Sequence, residues 1–503
     1  MNVTTPTSTP TTPTRPASAP RPGTGPDVPR RVAVVGAGAA GTLTAVQLLH
    51  RAARRRVPLE VYLVDPADAG PGVAYGTGDV RHLLNVPADG MSAFPDDPGH
   101  FLRWLAAWER CPAAPGDFVP RRTYGRYLTH VLERAVEGSA VWGRLHHVRR
   151  RVVDVVDAGC GAEGVVLVLA DGERLAVEAA VLALGLRPPG CAWAPPVLRG
   201  HAAFVADPWA PGALEAVPAT GEVLLVGTGL TMADVALSLA GPDRVMHAVS
   251  RHGLAPYGHR SGSRVAVPLP PALEGLVDSE GLAGLRRAVL RHLARTRRTV
   301  GDWRPGVDSL RPCTVALWQR LSDADRVRFL REDLRCWEVH RHRLAPATAA
   351  TVQQLRDQGR LTVAAAEVTD AREAGPSVEV RLSDGRVLTV AAVVNCTGAP
   401  AELTGSTDPL HRALLRRGLA TVGPAGLGLA TATDGRLRPT ADRAVAPLWT
   451  LGLLRRGELL ETTAMPEIRE QAAGLAEAVL DVLATAGPDV AGHRSGRVGR
   501  REG

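Results

Sequence analysis

The sequence predicts an α/β fold built from two similar βαβ units, the second inserted into the first. Each unit opens with an apolar strand, a glycine turn and the start of a helix: VAVVGAGAAG at residues 32–41 and LLVGTGLTMAD at 224–234. A β-meander follows in each unit and leads the chain back to its glycine turn, ending in LALG at 182–185 and NCTG at 395–398. This order predicts two Rossmann-like dinucleotide-binding domains.

Composition and element order also predict where the domains begin and end. The N-terminal residues are mostly Thr, Pro, Ser and Ala with almost no bulky apolar side chains, which is typical of a disordered tail. The predicted segments, in chain order, are a disordered tail (1–29), a first dinucleotide-binding domain in two pieces (30–216 and 396–488), a second dinucleotide-binding domain (217–395) with a helical insertion (260–345), and a disordered C-terminus (489–503).

The overall composition is that of a globular protein. The chain has 503 residues, of which 45% are hydrophobic and 22% charged. No uncharged apolar run is long enough to span a bilayer, and the N-terminal stretch lacks the apolar region of a signal peptide. We therefore expect a cytoplasmic protein without a membrane segment.

Charge and cysteine usage argue against several function classes. The formal net charge is +8, but all 59 basic residues are arginine and they are spread along the chain, so we expect no nucleic-acid partner. The absence of lysine excludes a Schiff-base lysine and a Walker P-loop lysine. The six cysteines form no CxxC pair, which argues against a disulfide reductase, and we expect no metal site.

The first glycine loop has the complete G-x-G-x-x-G spacing, with Gly36, Gly38 and Gly41 between a strand and a helix. The first glycine makes a tight turn, the second lets the backbone approach a pyrophosphate, and the third lets helix and strand pack closely. Asp65 closes the next strand, where a carboxylate can bind ribose hydroxyls. We predict that this loop holds a tightly bound FAD.

The second glycine loop keeps Gly227 and Gly229 but has Met232 at the position of the third glycine. A methionine there would push helix and strand apart or fill a gap between them. The next strand leads into Arg251 with no carboxylate for an NAD ribose, and an arginine suits the 2′-phosphate of NADP. The loop therefore predicts an NADPH site, and the alternative is a Rossmann-like unit kept for structure alone.

The segment GPGVAYGTGDVRHLLNVPADGMSAFPDDPGHFLRWL at residues 70–105 is more specific than either glycine loop. With FVPRRTYGRYL (118–128), CWEVHRHRLAP (336–346) and LRRGELLETTAMPEIREQA (454–472), it resembles the two-dinucleotide flavoprotein superfamily. Within that superfamily it resembles the branch that includes urate-hydroxylase-like and aspartate N-monooxygenase-like flavoproteins. The resemblance extends over about residues 31–485.

The resemblance implies FAD at the first loop, a nicotinamide at the second, and the segment HLLNVP lying along the flavin ring. His82 and Asn85 of that segment then become candidate catalytic residues. Each has a structural alternative. Asn85 can cap the turn before Pro87, and His82 can be a buried histidine whose hydrogen bonds are all satisfied.

The C-terminal part departs from the family pattern. Many relatives have Gly-Asp in their last flavin motif, whereas here Gly452 is followed by a leucine. We expect flavin contacts from Gly452 and from backbone amides around Thr462, near the start of the last helix, with a helix cap as the alternative role of Thr463. The histidines and arginines of WEVHRHRLAP are candidates for binding an anionic substrate or the nicotinamide phosphates, or they belong to a solvated basic helix end; they are His340, Arg341, His342 and Arg343.

These features together predict a flavin monooxygenase. NADPH would reduce FAD, and O2 would form a C4a-(hydro)peroxyflavin that hydroxylates a small nucleophile, an amine or an amino acid. Two alternatives stay open: an NAD(P)H-dependent flavin reductase or oxidase, and a non-catalytic FAD-binding scaffold. The sequence predicts neither the identity of the substrate nor the oligomeric state.

Overall fold

The computed structural model describes residues 28–110, 112–157, 164–260, 265–270 and 273–485. Apart from residues 28 and 29, both predicted tails lie outside the described residues. Residues 486–488, the end of the predicted first domain, also lie outside them. Two five-stranded parallel sheets dominate the described part of the chain. The first sheet consists, in spatial order, of Leu448–Thr450, Ala179–Leu182, Arg30–Val35, Leu59–Val64 and Gly143–Val148.

The second sheet has the same plan. Its central strand pairs in parallel with the strand after the glycine loop on one side and with the strand that ends the meander on the other. Its five strands, in spatial order, are Leu361–Ala365, Met246–Ser250, Val223–Val226, Ala392–Asn395 and Phe204–Val205. The last of these lies within 30–216, so the second sheet includes a strand from the segment that the sequence assigned to the first domain.

Each parallel sheet is covered on one face by a three-stranded antiparallel meander. The sequence predicted both meanders but wrongly took Ala179–Leu182 and Ala392–Asn395, which belong to the parallel sheets, as their last strands. The first meander contains Val152–Asp157, Val165–Leu169 and Arg174–Val177. The second contains Val368–Ala374, Ser377–Leu382 and Val387–Val390.

The helices cover the other faces and form the insertion between the second and third strands of the second unit. The α-helices are Ala39–Arg55, Gly72–Tyr75, His100–Trp108, Arg121–Ser139, Pro196–Gly200, Leu230–Leu239, Leu273–Val300 with a break at Gly281, Arg304–Ser309, Thr314–Arg320, Asp323–Glu332, Leu334–Arg341, Pro346–Asp357, Pro409–Arg416, Arg456–Leu459 and Met465–Thr485. Short 3-10 helices span Ala88–Gly90, Arg311–Cys313, Pro424–Gly426 and Gly452–Arg455.

Alternation along the central strands gives each sheet two apolar faces. Val32 and Val34 belong to a core with the helices of the first unit, whereas Ala33 and Val35 belong to a second core with the meander. The strand from Val223 to Val226 divides its side chains in the same way. Strands buried on both faces read as continuous apolar runs, which is why the sequence located both of them.

The predicted α/β fold with two Rossmann-like units is confirmed. Both glycine loops lie at the carboxyl ends of parallel strands, where ligands bind in such sheets. Among the described helices, none combines the length and the apolar character needed to cross a membrane.

Candidate active site

The three glycines of the first loop differ in the space around them, and only the second, Gly38, has open space beside it. Gly36 has φ +104°, and a Cβ there would come within 2.2 Å of the Ala183 carbonyl oxygen; a Cβ on Gly41 would lie 1.8 Å from the Gly36 carbonyl oxygen. Only glycine fits at these two positions, because a side chain would collide with a neighbouring backbone carbonyl group. Gly38 is different: its φ is −67°, and a Cβ would meet only the Gly72 Cα, at 3.5 Å. The space beside Gly38 is therefore free for a ligand.

The second loop repeats this geometry. Gly227 has φ +108°, and a Cβ there would lie 2.3 Å from the Cys396 carbonyl oxygen, the counterpart of Ala183. The space beside Gly229 is open, since the nearest atom to a Cβ is the Arg335 Nη1 at 4.0 Å. In both units the following helix has no side-chain cap, so its first amides are available to a phosphate. Both loops thus fit the pyrophosphate of a dinucleotide.

Met232 is accommodated in the core of the second unit. Its side chain is buried among apolar residues of the sheet and helices. The hydrogen bond that opens the helix is 3.4 Å long here, from the Ala233 amide to the Gly229 carbonyl, compared with 2.9 Å from Thr42 to Gly38 in the first unit. The helix of the second unit thus begins with a longer hydrogen bond, and the space beside Gly229 is open with the methionine in place.

The residue after the second strand differs between the units. The strand registers make Asp65 and Ser250 equivalent positions. The Asp65 carboxylate accepts a hydrogen bond from the Ala37 amide, at 2.8 Å, and so lies against the first loop. The Ser250 hydroxyl lies 2.8 Å from the Thr228 hydroxyl of the second loop. The second unit therefore has a neutral group beside its loop, followed at once by the exposed Arg251.

A cavity of about 310 Å³ lies where the two units, the helical insertion and the C-terminal segment meet. Its size is within the range of small-molecule sites. Its lining includes Asn85, Gly229 and Thr462 of the predicted site residues. Its lining also includes charged and polar side chains from the helical insertion and the C-terminal segment, and one leucine: Arg335, Glu338, Arg341, His342, Arg456, Glu461 and Leu460.

Asn85 reaches this cavity from the first unit. Its carbonyl oxygen accepts a hydrogen bond from the His259 Nε2, at 3.1 Å. Its side-chain amide makes no hydrogen bond to any described residue, which leaves both its donor and its acceptor for a ligand. A catalytic or substrate-binding role for Asn85 stays a prediction, and the position of the residue is compatible with it.

His82 lies outside the cavity lining and is 2% exposed. Its Nδ1 is 2.7 Å from the Thr77 hydroxyl, and its Nε2 is 3.1 Å from the Asp234 carbonyl oxygen and 2.9 Å from the Ser238 hydroxyl. Both ring nitrogens are used within the protein. His82 joins the segment after the first loop to the helix of the second loop, which matches the structural alternative considered for it.

Gly452 and Thr462 are connected to each other. The Thr462 hydroxyl donates to the Gly452 carbonyl oxygen at 3.1 Å and accepts from the Gln471 Nε2 at 2.8 Å, while the Gln471 Oε1 accepts from the Gly452 amide at 3.1 Å. Thr462 lines the cavity and Gly452 lies just behind it. Gln471, which holds both, was not identified from the sequence, although it lies within a segment that carries the family resemblance.

The cavity contains arginines and glutamates in pairs. Arg341 Nη2 lies 3.0 Å from a Glu461 carboxylate oxygen, and Arg456 Nη2 donates to Glu338 Oε1 at 2.8 Å. Of the four residues 340–343 that the sequence indicated, only Arg341 and His342 line this cavity. The sequence missed Arg335, Glu338 and Arg456. The spacing of residues 335, 338 and 341 was an available signal, because side chains three apart lie on one face of a helix.

His342 is an uncharged group in this cationic surrounding. Burial lowers the pKa of His342 to about 3, and the neighbouring arginines, Arg341 first, act in the same direction. Its imidazole is therefore neutral at physiological pH and able to donate one hydrogen bond and accept another. No group of three or more His, Cys, Asp or Glu side chains within the described ranges is arranged to hold a metal ion.

Comparisons with known proteins agree with this geometry. Residues 33–187 match the family model described as FAD-NAD(P)-binding. The chain is 30% identical over 326 residues, 56% of its length, to the L-aspartate N-monooxygenase (nitrosuccinate-forming) of Streptomyces cremeus. It spans about half the length of this curated relative, 48%.

Solved structures resemble the chain in fold. L-lysine 6-monooxygenase from Pseudomonas syringae has a TM-score of 0.61 at 17% identity, covering 91% of this chain and 100% of its own. The ornithine N-hydroxylase of Kutzneria sp. 744, in a complex with reduced FAD, NADP+ and L-ornithine, has a TM-score of 0.57 at 15% identity with the same coverage of both chains. The resemblance to FAD/NAD(P)-binding proteins and to aspartate N-monooxygenase that the sequence indicated is confirmed.

Proposed function

We propose that the chain is an FAD-dependent, NADPH-consuming monooxygenase that hydroxylates the nitrogen of a small amine or amino acid. The observation that carries the proposal is the repeated loop geometry: each unit leaves an open gap at its second glycine, Gly38 or Gly229, and both units contribute to one cavity. Two dinucleotides bound in this way can bring their reactive rings together. The curated relative is named as an N-monooxygenase, which supports this reaction class.

FAD fits the first loop and NADPH the second. Gly36, Gly38, Gly41 and Asp65 would hold the flavin dinucleotide, with Gly452 and Thr462 near its ring, and Gly227, Gly229 and Arg251 would hold the nicotinamide dinucleotide. When bound, the flavin supplies the chemistry that accepts a hydride and activates O2. One oxygen atom goes to the substrate nitrogen and the other leaves as water. A cytoplasmic location is part of this proposal.

The residues of the cavity suit a substrate that carries both charges. The guanidinium of Arg335 or Arg341 can bind a carboxylate, and Glu338 or Glu461 can orient an amine. Asn85 and the neutral His342 add hydrogen bonds without adding charge. Such contacts would hold the substrate nitrogen in one place, which is the contribution that the protein itself makes to such a reaction.

The experiment is anaerobic reduction of the bound flavin followed by a substrate screen. Purified protein is expected to be yellow, to be bleached by NADPH under argon, and to form a hydroxylamine or a more oxidised nitrogen product from an amino acid in air. Reduction by NADPH with hydrogen peroxide as the sole product for all amines tested would instead identify a reductase or oxidase. A bound flavin that NADPH never reduces would identify a scaffold.

We expect the nicotinamide preference to depend on Arg251. Hydrogen bonds to a charged group contribute roughly 1.5–3 kcal/mol, so an arginine on the 2′-phosphate gives about a ten- to hundredfold preference for NADPH over NADH. Arg251→Ala should remove most of this preference and leave reduction by NADH nearly unchanged. The measurement is the rate of anaerobic flavin reduction over a concentration series of each nucleotide.

Arg199→Ala, a change of another exposed arginine, is the matched control for general loss of positive charge. Equal efficiency of NADPH and NADH in the parent protein would contradict the role of Arg251.

A further inference from the structure

A second cavity lies on the other side of the helix Leu334–Arg341. It measures about 340 Å³ and is lined mostly by apolar side chains of the insertion, among them Leu285, Leu293, Trp318 and Phe329. The helix between the two cavities is two-faced. Arg335, Glu338 and Arg341 line the cavity of the candidate active site, called the polar cavity from here on. Cys336, Trp337 and His340 line the second, apolar cavity. Leu460 lines both cavities.

Leu460 has an unusual backbone. Its φ is +58° and its ψ −63°, and the Glu461 amide donates to the Leu459 carbonyl oxygen at 2.7 Å. These values define a γ-turn with a positive central φ, which is rare and strained. Glycine would adopt the same conformation without a side-chain penalty. A leucine in this place therefore indicates that the side chain itself has a role.

The strained turn is held from both sides. Before it, the Gly457 carbonyl oxygen accepts a hydrogen bond from the Trp318 indole at 2.7 Å. After it, the Glu461 carboxylate accepts from the Trp337 indole at 3.0 Å and from Arg341 Nε at 3.1 Å. Strained residues persist where their surroundings over-determine them, and they cluster at ligand sites. The residues that fix Leu460 are themselves part of the two cavity walls.

We propose that Leu460 is a specificity-determining residue: its side chain separates the polar cavity from the apolar cavity and so restricts the substrate to a small polar amine or amino acid. This inference rests on the proposed function for the identity of the substrate. The separation itself rests on the placement of Leu460, which is 9% exposed and shared by both cavity linings. While the leucine is present, an apolar tail of the substrate cannot extend from the first cavity into the apolar one.

The test compares Leu460→Ala and Leu460→Gly with the parent protein. Both changes are expected to connect the two cavities. Kd values for propylamine, pentylamine and heptylamine are measured by calorimetry on the flavin-loaded protein, without turnover. In the variants each methylene that enters the apolar cavity should tighten binding by about fourfold, whereas in the parent protein affinity should not rise with chain length.

Leu459→Ala is the matched control, because Leu459 belongs to the same turn and lines neither cavity; it should behave like the parent. The glycine variant keeps the test valid if alanine disturbs the turn, since glycine accepts the positive φ. Chain-length dependence that is the same in parent and variants would overturn the role of Leu460. Because binding is measured without turnover, this result is distinct from a failure of the proposed monooxygenase activity, which would appear as absence of hydroxylated product.

Discussion

A Gly38→Val variant is expected to fold normally and to be purified without flavin. Valine adopts the φ of −67° found at this position, and the nearest atom to its Cβ, the Gly72 Cα, is at an ordinary contact distance of 3.5 Å. The fold therefore tolerates the side chain. The pyrophosphate does not, because the branched side chain occupies the space through which it approaches the loop.

The expected loss of affinity is large. Losing two hydrogen bonds to a charged phosphate costs roughly 3–6 kcal/mol, or about two to four orders of magnitude in the Kd for FAD. The measurement is the flavin-to-protein absorbance ratio after purification, followed by titration of the flavin-free protein with FAD. Circular dichroism and thermal unfolding check that the fold is retained.

Two further glycines serve as controls. Gly78→Val changes an exposed glycine of the same region whose Cβ would meet nothing within 4 Å, and this variant should stay yellow. Gly229→Val makes the equivalent change in the second loop and should retain flavin while losing reduction by NADPH. A fully loaded, yellow Gly38→Val protein would show that the first loop does not bind the flavin.

Arg121→Leu is expected to destabilise the protein more than any other single change considered above. Arg121 Nη2 lies 2.7 Å from a carboxylate oxygen of Asp234, which is 3% exposed. The pair joins the helix Arg121–Ser139 of the first unit to the helix Leu230–Leu239 of the second. Removing one partner of a buried ion pair costs about 3–5 kcal/mol, because the other charge stays buried without compensation.

The loss should depend on pH. Burial raises the pKa of Asp234, and Arg121 opposes that rise. Without the arginine the folded-state pKa rises further above the unfolded value. Between the two pKa values the folded protein binds more protons than the unfolded chain, so stability falls as pH rises. The variant should therefore be closer to the parent at pH 5 than at pH 8.

Urea unfolding at both pH values measures this effect. Arg122→Leu, at the exposed neighbouring position, is the control and should change the unfolding free energy by less than about 0.5 kcal/mol. The double variant Arg121→Leu with Asp234→Leu should recover most of the stability, since no unpaired charge is left. A loss of stability that is equal at pH 5 and pH 8 would contradict an unpaired Asp234 as its cause.

The sequence alone determined the fold and the two loops. Apolar strand runs, glycine spacing and the two meanders are local patterns, and the positive φ required at Gly36 and Gly227 is a local property of a tight turn. For the same reason Asp65 could be placed at the end of its strand, and the absence of a carboxylate before Arg251 could be read directly. Such features can be predicted without knowing which distant segments pack against them.

Only the tertiary structure decided which polar side chains share the cavity. His82 and Asn85 are three residues apart, yet they have different surroundings. His82 makes hydrogen bonds that join the two units, whereas Asn85 lines the cavity and its side-chain amide has no hydrogen bond to any described residue. The pairs Arg341–Glu461 and Arg456–Glu338 join segments more than a hundred residues apart. No local pattern encodes such contacts, because side-chain direction and ion pairing depend on how distant segments pack, and the strained turn at Leu460 exists only because residues of the insertion hold it from both sides.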